Sequence, residues 1–338
     1  MKKLLIISSL ILMNISLFAE DATHSLRLKG AYGQGTIGLA ERNERDHIEN
    51  GKSLYLNALN PSLSNPYVIT SQDATERVKA AMQLGFEYRF RDNLRINVGY
   101  RDLSAEYGMK TQHIPGFIFD PTSDMYQWKE VRKNVGLEYY IPFGDFIKFG
   151  PLVKYYMVDQ NYTNEVVRYF DNTYTSGSTS LTATNTQSGT QTSYGKYSGF
   201  APGMAIEFKI TDWFRVGVAG EYILWKGTKT TELPYYTSSS ITGVGSSTTG
   251  GYFSDSGDMA FNGFFGDLTL QFRPFSLLGI TLGYHRENYN RKYRNYSYST
   301  SATEYIVSSS IYSSLVKSSN PKFTSEVYYL QAELILDL

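Results

Sequence analysis

Apolar and polar residues alternate one for one over ten or more positions at several places in this chain, and four times two such runs are joined by only two to four residues. Gly85 to Phe90 passes through Arg91-Asp92-Asn93 into Leu94 to Tyr100, and Ala205 to Ile210 passes through Thr211-Asp212 into Phe214 to Val218. Gly136 to Ile141 turns through Pro142 to Asp145, and Thr269 to Arg273 through Pro274 to Ser276. A two-residue period belongs to an extended strand with one apolar and one polar face. Soluble strands usually stop near five or six residues, whereas a strand that crosses a membrane needs about nine to eleven. The pattern therefore predicts an all-β protein, a closed antiparallel transmembrane β-barrel.

Reading outward from the four turns predicts ten strands, at 25–39, 77–90, 94–103, 130–141, 146–158, 198–210, 213–225, 260–273, 277–289 and 326–338. The order is up-and-down, and the last strand closes on the first, because an open edge cannot be satisfied in hydrocarbon. An extra hairpin inside one loop would make twelve. On the second strand Val78, Ala80, Met82, Leu84, Phe86, Tyr88 and Phe90 share a face against Lys79, Gln83, Glu87 and Arg89. The tenth sets Tyr328, Leu330, Ala332, Leu334, Leu336 and Leu338 against Tyr329, Gln331, Glu333 and Asp337. Lys133 and Asp102 break the apolar face at strand ends far from the short turns, where a side chain can snorkel or a bulge can change the facing.

The other five connections, 40–76, 104–129, 159–197, 226–259 and 290–325, are long, so the expected asymmetry is short periplasmic turns and long extracellular loops. Their Ser-, Thr- and Gly-rich stretches predict mobile loops, although alternation at Tyr293 to Tyr298 and Tyr305 to Val307 could extend the last strands above the membrane. The 51 aromatic residues, 15% of the chain, supply two girdles. One, beside the turns, holds Tyr88, Phe90, Tyr139, Phe143, Phe146, Phe208, Trp213, Phe214, Phe272 and Phe275. The other holds Tyr100, Trp128, Tyr155, Tyr222, Trp225, Phe264 and Tyr284. A soluble sandwich would explain neither the girdles nor turns confined to one end.

Lys2 and Lys3 before the apolar run Leu4 to Phe18 mark residues 1–19 as a secretory signal cleaved after Ala19, which leaves 20–338 as one barrel domain in the bacterial outer membrane. No periplasmic domain is expected after the tenth strand. Processing leaves 30 basic and 32 acidic residues, with no Cys; this balance argues against a nucleic-acid partner, and there is no disulfide framework or lipid-attachment cysteine. The expected partner is outer-membrane lipid around a monomer.

Positions predicted to face the lumen carry Lys79, Arg89, Arg95, Arg101, Arg132, Lys148, Lys154, Lys209, Arg215 and Arg273, against Glu87, Glu138, Glu207, Glu221, Asp267, Glu333 and Asp337. Glu87 should reach Arg95 and Glu207 should reach Arg215 on the facing strand. Such an interior either plugs the barrel with satisfied charges, the favoured reading, or lines a narrow pore with mild anion preference. Inward Gly85, Gly99, Gly136, Gly150, Gly203 and Gly217 either widen that pore or mark curvature. His285 falls near Asp267, a pair that could support acid–base chemistry; no motif surrounds it, and the chain is read as no enzyme. Asp255 and Asp258 lack His or Cys at ligand spacing, so neither metal nor cofactor is expected.

The Glu87 to Val98 run, Glu-aromatic-Arg-apolar, Asp-Asn, apolar-Arg-apolar, resembles the short-turn hairpins of small bacterial outer-membrane barrels of the opacity and OmpA-like group. The resemblance covers the four turns and the strand pattern but none of the long loops; Leu338 stands where that group commonly ends in an aromatic residue. It implies the barrel architecture and a role among adhesins, anchors, narrow pores or evasion proteins. The predicted function is surface display of Tyr/Ser/Thr-rich loops for adhesion, through Tyr169, Tyr174, Tyr194, Tyr235, Tyr236, Tyr296, Tyr298, Tyr305 and Tyr312. A narrow porin-like channel for small solutes is the alternative.

Overall fold

The computed structural model describes residues 24–39, 47, 77–91, 93–110, 118–120, 123–176, 179–241, 244–300 and 309–338. The signal at 1–19 and Tyr305 lie outside them, as do the side chains of Lys79, Tyr169, Tyr174 and Tyr312.

Twelve strand segments form, β1 (His24–Gly38), β2 (Arg77–Phe90), β3 (Leu94–Lys110), β4 (Ile118–Asp120), β5 (Ser123–Tyr139), β6 (Ile141–Phe143), β7 (Ile147–Ser176), β8 (Thr179–Lys209), β9 (Phe214–Ile241), β10 (Gly245–Phe275), β11 (Leu278–Thr300) and β12 (Lys322–Asp337). A helix, α1 (Ser309–Ser318), precedes β12. The ten long strands make one antiparallel ring in chain order. β12 pairs with β1 from Ser25↔Asp337 to Gly38↔Thr324, and β7 pairs with β8. The three-residue β4 and β6 attach to β7 and take no place in the ring, so the barrel has ten strands rather than twelve.

Every ring strand shows an apolar side chain to the outside, as with Leu28, Leu84, Val98, Val135, Val153, Met204, Val218, Leu268, Leu282 and Leu330. Leu84 is 57% exposed and Met204 60% exposed, values that only a hydrocarbon solvent makes favourable around a whole ring. On β9 the apolar stretch from Phe214 to Leu224 spans about 36 Å of strand, or about 25 Å along the normal at a 45° tilt, the height of a membrane-crossing band. Among the described residues no helix is long and apolar enough to cross a membrane; the crossing is made by strands. Phe143, Phe146, Trp213 and Phe275 stand exposed beside the turns, and Phe272 stacks there on both Trp213 and Phe214.

Close backbone approach explains two inward glycines. A Cβ on Gly150 would lie 1.8 Å from the Tyr139 carbonyl oxygen, where β5 gives way to β6, and one on Gly203 would lie 2.1 Å from the Gly220 oxygen. These positions mark barrel curvature. In the β6–β7 turn, Gly144 takes φ 67°, a left-handed value that glycine adopts without strain.

The strands run farther than the alternation suggested. β7 and β8 keep one register from Ile147↔Phe208 to Ser176↔Thr179, and β9 and β10 keep one from Phe214↔Phe272 to Ile241↔Gly245. The segments 159–197 and 226–259, expected as mobile loops, are therefore almost wholly strand and form a tall wall on one side of the barrel. β11 extends through Tyr293 to Tyr298. Pro234 and Pro202 sit inside these long strands, and at each the β8–β9 ladder skips two rungs while the register is kept, as a residue without an N–H requires.

The reason the reading stopped short is visible on β9. Outward Val218, Tyr222 and Leu224 give way to outward Lys226, Thr228 and Thr230, while inward Arg215 and Glu221 give way to inward Trp225, Leu233 and Tyr235. The alternation continues with its polarity reversed. Trp128 and Trp225, expected in the outer girdle, are consequently inside the barrel and 1% exposed. Phe264, Tyr222 and Tyr155 do face outward.

Candidate functional site: the filled lumen beneath a tall wall

The lumen is packed in layers. Nearest the turns, Arg27 meets Glu333 at 3.3 Å, Lys29 meets Glu87 at 2.6 Å, and Arg89 also binds Glu87. Glu207 receives Arg95 at 2.8 Å and Arg215 at 2.9 Å. The Glu207–Arg215 pair is the one the hairpin suggested. Arg95 instead crosses the lumen to Glu207, with its guanidinium 4.0 Å from the centre of the Tyr140 ring, rather than pairing with Glu87, because three other cations surround that carboxylate.

A middle layer holds a polar cavity of about 220 Å³. Glu138 accepts from Asn97 at 2.8 Å and Tyr140 at 3.1 Å, and Tyr156 donates to Glu221 at 2.8 Å beside Lys154. His285 Nδ1 lies 2.7 Å from Asp267, and its Nε2 lies 2.7 Å from Glu287. Held between two carboxylates and buried, the ring has no free nitrogen for a substrate.

Above it, Glu287 takes both Nη groups of Arg132 at 2.9 and 2.7 Å and also binds Arg101. Arg132 in turn binds Glu130 and lies about 5 Å over the rings of Trp225 and Phe265. Each buried charge here has a partner, without which burial would cost several kcal/mol. An aromatic cap closes the stack. Trp225 packs on Phe261, Phe265, Tyr156 and Tyr289, Tyr289 stacks on Phe323 at 4.6 Å, and Trp128 sits 5.7 Å from Phe323. Val316 of α1 joins this cluster.

Of the lumen positions read from sequence, Glu87, Arg89, Arg95, Arg101, Glu207, Glu221, His285 and Glu333 are buried. Glu138, Lys148, Lys154, Lys209, Arg215, Asp267 and Arg273 are half-buried. Lys209 and Arg273 stay at the turn rim with Asp212 and Asp337. Arg27, Lys29, Glu130, Glu287 and Arg291 were missed, although phase could have found them. Arg27 and Lys29 alternate with outward Leu26 and Leu28, Glu287 follows His285 by two, and Glu130 precedes Arg132 by two. Outside, Asp102 meets Lys129 at 3.0 Å, while Lys133 is exposed. Among the described residues no group of three or more His, Cys, Asp or Glu could hold a metal ion.

The tyrosines expected to make contacts divide by face. Tyr194 and Tyr236 point outward from the wall, Tyr236 being 64% exposed, and Tyr252 joins them. Tyr235 and Tyr296 are buried on the inward face, and half-buried Tyr298 packs with Phe253 there; these three are not free contact residues.

No family model and no curated protein matches the chain. Solved structures similar to it include the outer membrane protease OmpT from Escherichia coli, at 10% identity over 94% of this chain and 96% of that one, with a TM-score of 0.46. The translocator domain of the autotransporter NalP from Neisseria meningitidis is 9% identical over 98% and 96%, with a TM-score of 0.26. The Pseudomonas putida toluene transporter TodX is 10% identical over 95% and 91%, with a TM-score of 0.30. None of the three is similar enough to lend its activity to this chain.

Proposed function

We propose that the protein is a non-conducting monomeric barrel of the bacterial outer membrane, set with its short turns in the periplasm, that holds a β-structured wall above the surface for contact with host, matrix or neighbouring cells. The observation that carries this is the wall itself. β9 runs from Leu224 to Ile241, about 55 Å of extended chain beyond the apolar band, with Tyr194, Tyr236 and Tyr252 exposed among Ser and Thr. Tyrosine gives large contact area at low entropy cost, as adaptable binding surfaces use it. The likeness of the hairpins to the opacity and OmpA-like barrels supports a surface role, and the ion-paired charges and aromatic cap support a lumen that does not conduct.

Removing residues 166–189 and 232–254 cuts the wall at paired rungs, Val166↔Gly189 and Glu232↔Ser254. The shortened barrel should insert normally and lose adhesion; unchanged adhesion removes the contact role. The rival is a narrow channel for small solutes, motivated by the polar cavity inside the lumen. Intact protein should be electrically silent in planar bilayers, and a stable unitary conductance would establish the rival instead.

A further inference from the structure

Directly above the apolar band, on the outside of the barrel, β9, β10 and β11 build a basic recess. Ala260 pairs with Lys226 on one side and with Lys292 on the other, so two long cationic side chains flank one methyl group. On the rung beneath, Asn262 stands between Leu224 and Asn290, and on the next rung toward the turns Phe264 stands between Tyr222 and Asn288. Arg294 extends the recess up β11, and Lys317 and Asn320 close it from the end of α1. The space enclosed is about 960 Å³, within the range of ligand pockets.

The charges are uncompensated. None of Lys226, Lys292, Arg294 and Lys317 has an ion-pair partner among the described residues. The nearest acid along β10, Asp258, is bound by the Asn295 amide at 2.6 Å. Elsewhere on the outer face the pattern differs. Lys129 is matched by Asp102, Arg286 by Glu326 at 3.5 Å, and Lys196 stands across from Asp159 in the ladder, while Lys133 stands singly.

We propose that this recess holds the phosphate-bearing headgroup of a lipid in the outward-facing leaflet. The inference rests on the membrane placement proposed above and is independent of adhesion and conductance. The side chains below the recess, Leu224, Tyr222 and Phe264, lie against acyl chains, so the ligand that reaches four cations from that direction is an anionic amphiphile. Ammonium and guanidinium groups take phosphate oxygens through charge-assisted hydrogen bonds, and the Asn amides add neutral donors. Basic clusters at headgroup depth bind anionic lipids by this combination.

The test uses the full barrel reconstituted in phosphatidylcholine vesicles containing a minority of phosphatidylglycerol, extracted and examined by native mass spectrometry. The wild type should retain phosphatidylglycerol over phosphatidylcholine by on the order of tenfold. K226Q/K292Q/R294Q/K317Q should lose that preference, and K129Q/K133Q, both on β5 across the ring from the recess, should keep it. A260W fills the recess and leaves its charge intact; it too should lose retention, which separates a built site from bulk charge if the four-fold variant folds poorly. Equal retention by wild type and A260W overturns the proposal. So does inorganic phosphate binding the wild type as tightly as the lipid does, which would mark a site for free anions.

Discussion

The membrane-crossing half of the barrel and the wall above it use one backbone and one two-residue alternation, yet they are built inside out from each other. On β9 below Leu224 the outward side chains are apolar and the inward ones include Arg215 and Glu221; above Trp225 the outward side chains are mostly Lys, Thr and Ser, with Tyr236 among them, while the inward face buries Trp225, Leu233 and Tyr235 together with Lys229, Thr231 and Thr237. The strand does not change, but the solvent outside it does. In hydrocarbon the ring must place its polar groups inside and pair each of them, whereas in water the wall buries apolar groups inward like any soluble sheet. The rung between Leu224 and Lys226 is where one solvent gives way to the other.

The largest effects should come from breaking the two cores. Glu287→Leu leaves Arg132 and Arg101 without their shared carboxylate and should destabilise the folded barrel by about 3–5 kcal/mol, read as a lower midpoint of thermal unfolding in detergent; adding Arg132→Met should recover part of it. Trp225→Ala opens the aromatic cap at a similar cost of about 3–5 kcal/mol. Together with Trp128→Ala it should raise bilayer conductance from silence, and a barrel still silent would show that the charged layers seal the lumen alone. The comparison sharpens with one substitution made twice. Leu330→Arg, on the lipid face, should cost about 2–4 kcal/mol, while Thr230→Arg, outward on β9 above the reversal, should change stability by less than about 0.5 kcal/mol. Equal costs at the two sites would mean that no change of solvent lies between them.

The lower half was legible because its chemistry is local. Outward Leu, Val and Phe alternate with charged residues beside two- to four-residue turns, and that pattern has one membrane solution. The wall was not legible as structure because Ser- and Thr-rich strands carry little apolar signal of their own. Segments such as Thr179 to Ser193 become strand through pairing with Tyr162 to Ser176, residue by residue, along a register set far below in the membrane.

What the chain determined by itself is the ring: ten alternating strands, tight turns at one end, and the phase that sends Glu207 and Arg215 to the same side. Only the tertiary structure decided who pairs across the lumen, because Arg95 reaches Glu207 over 112 residues of chain and Arg132 reaches Glu287 over 155. It also decided that Trp128 and Trp225 close the barrel instead of girdling it. Alternation specifies which side of a strand a residue takes, while the solvent on that side depends on the height at which the closed ring holds it.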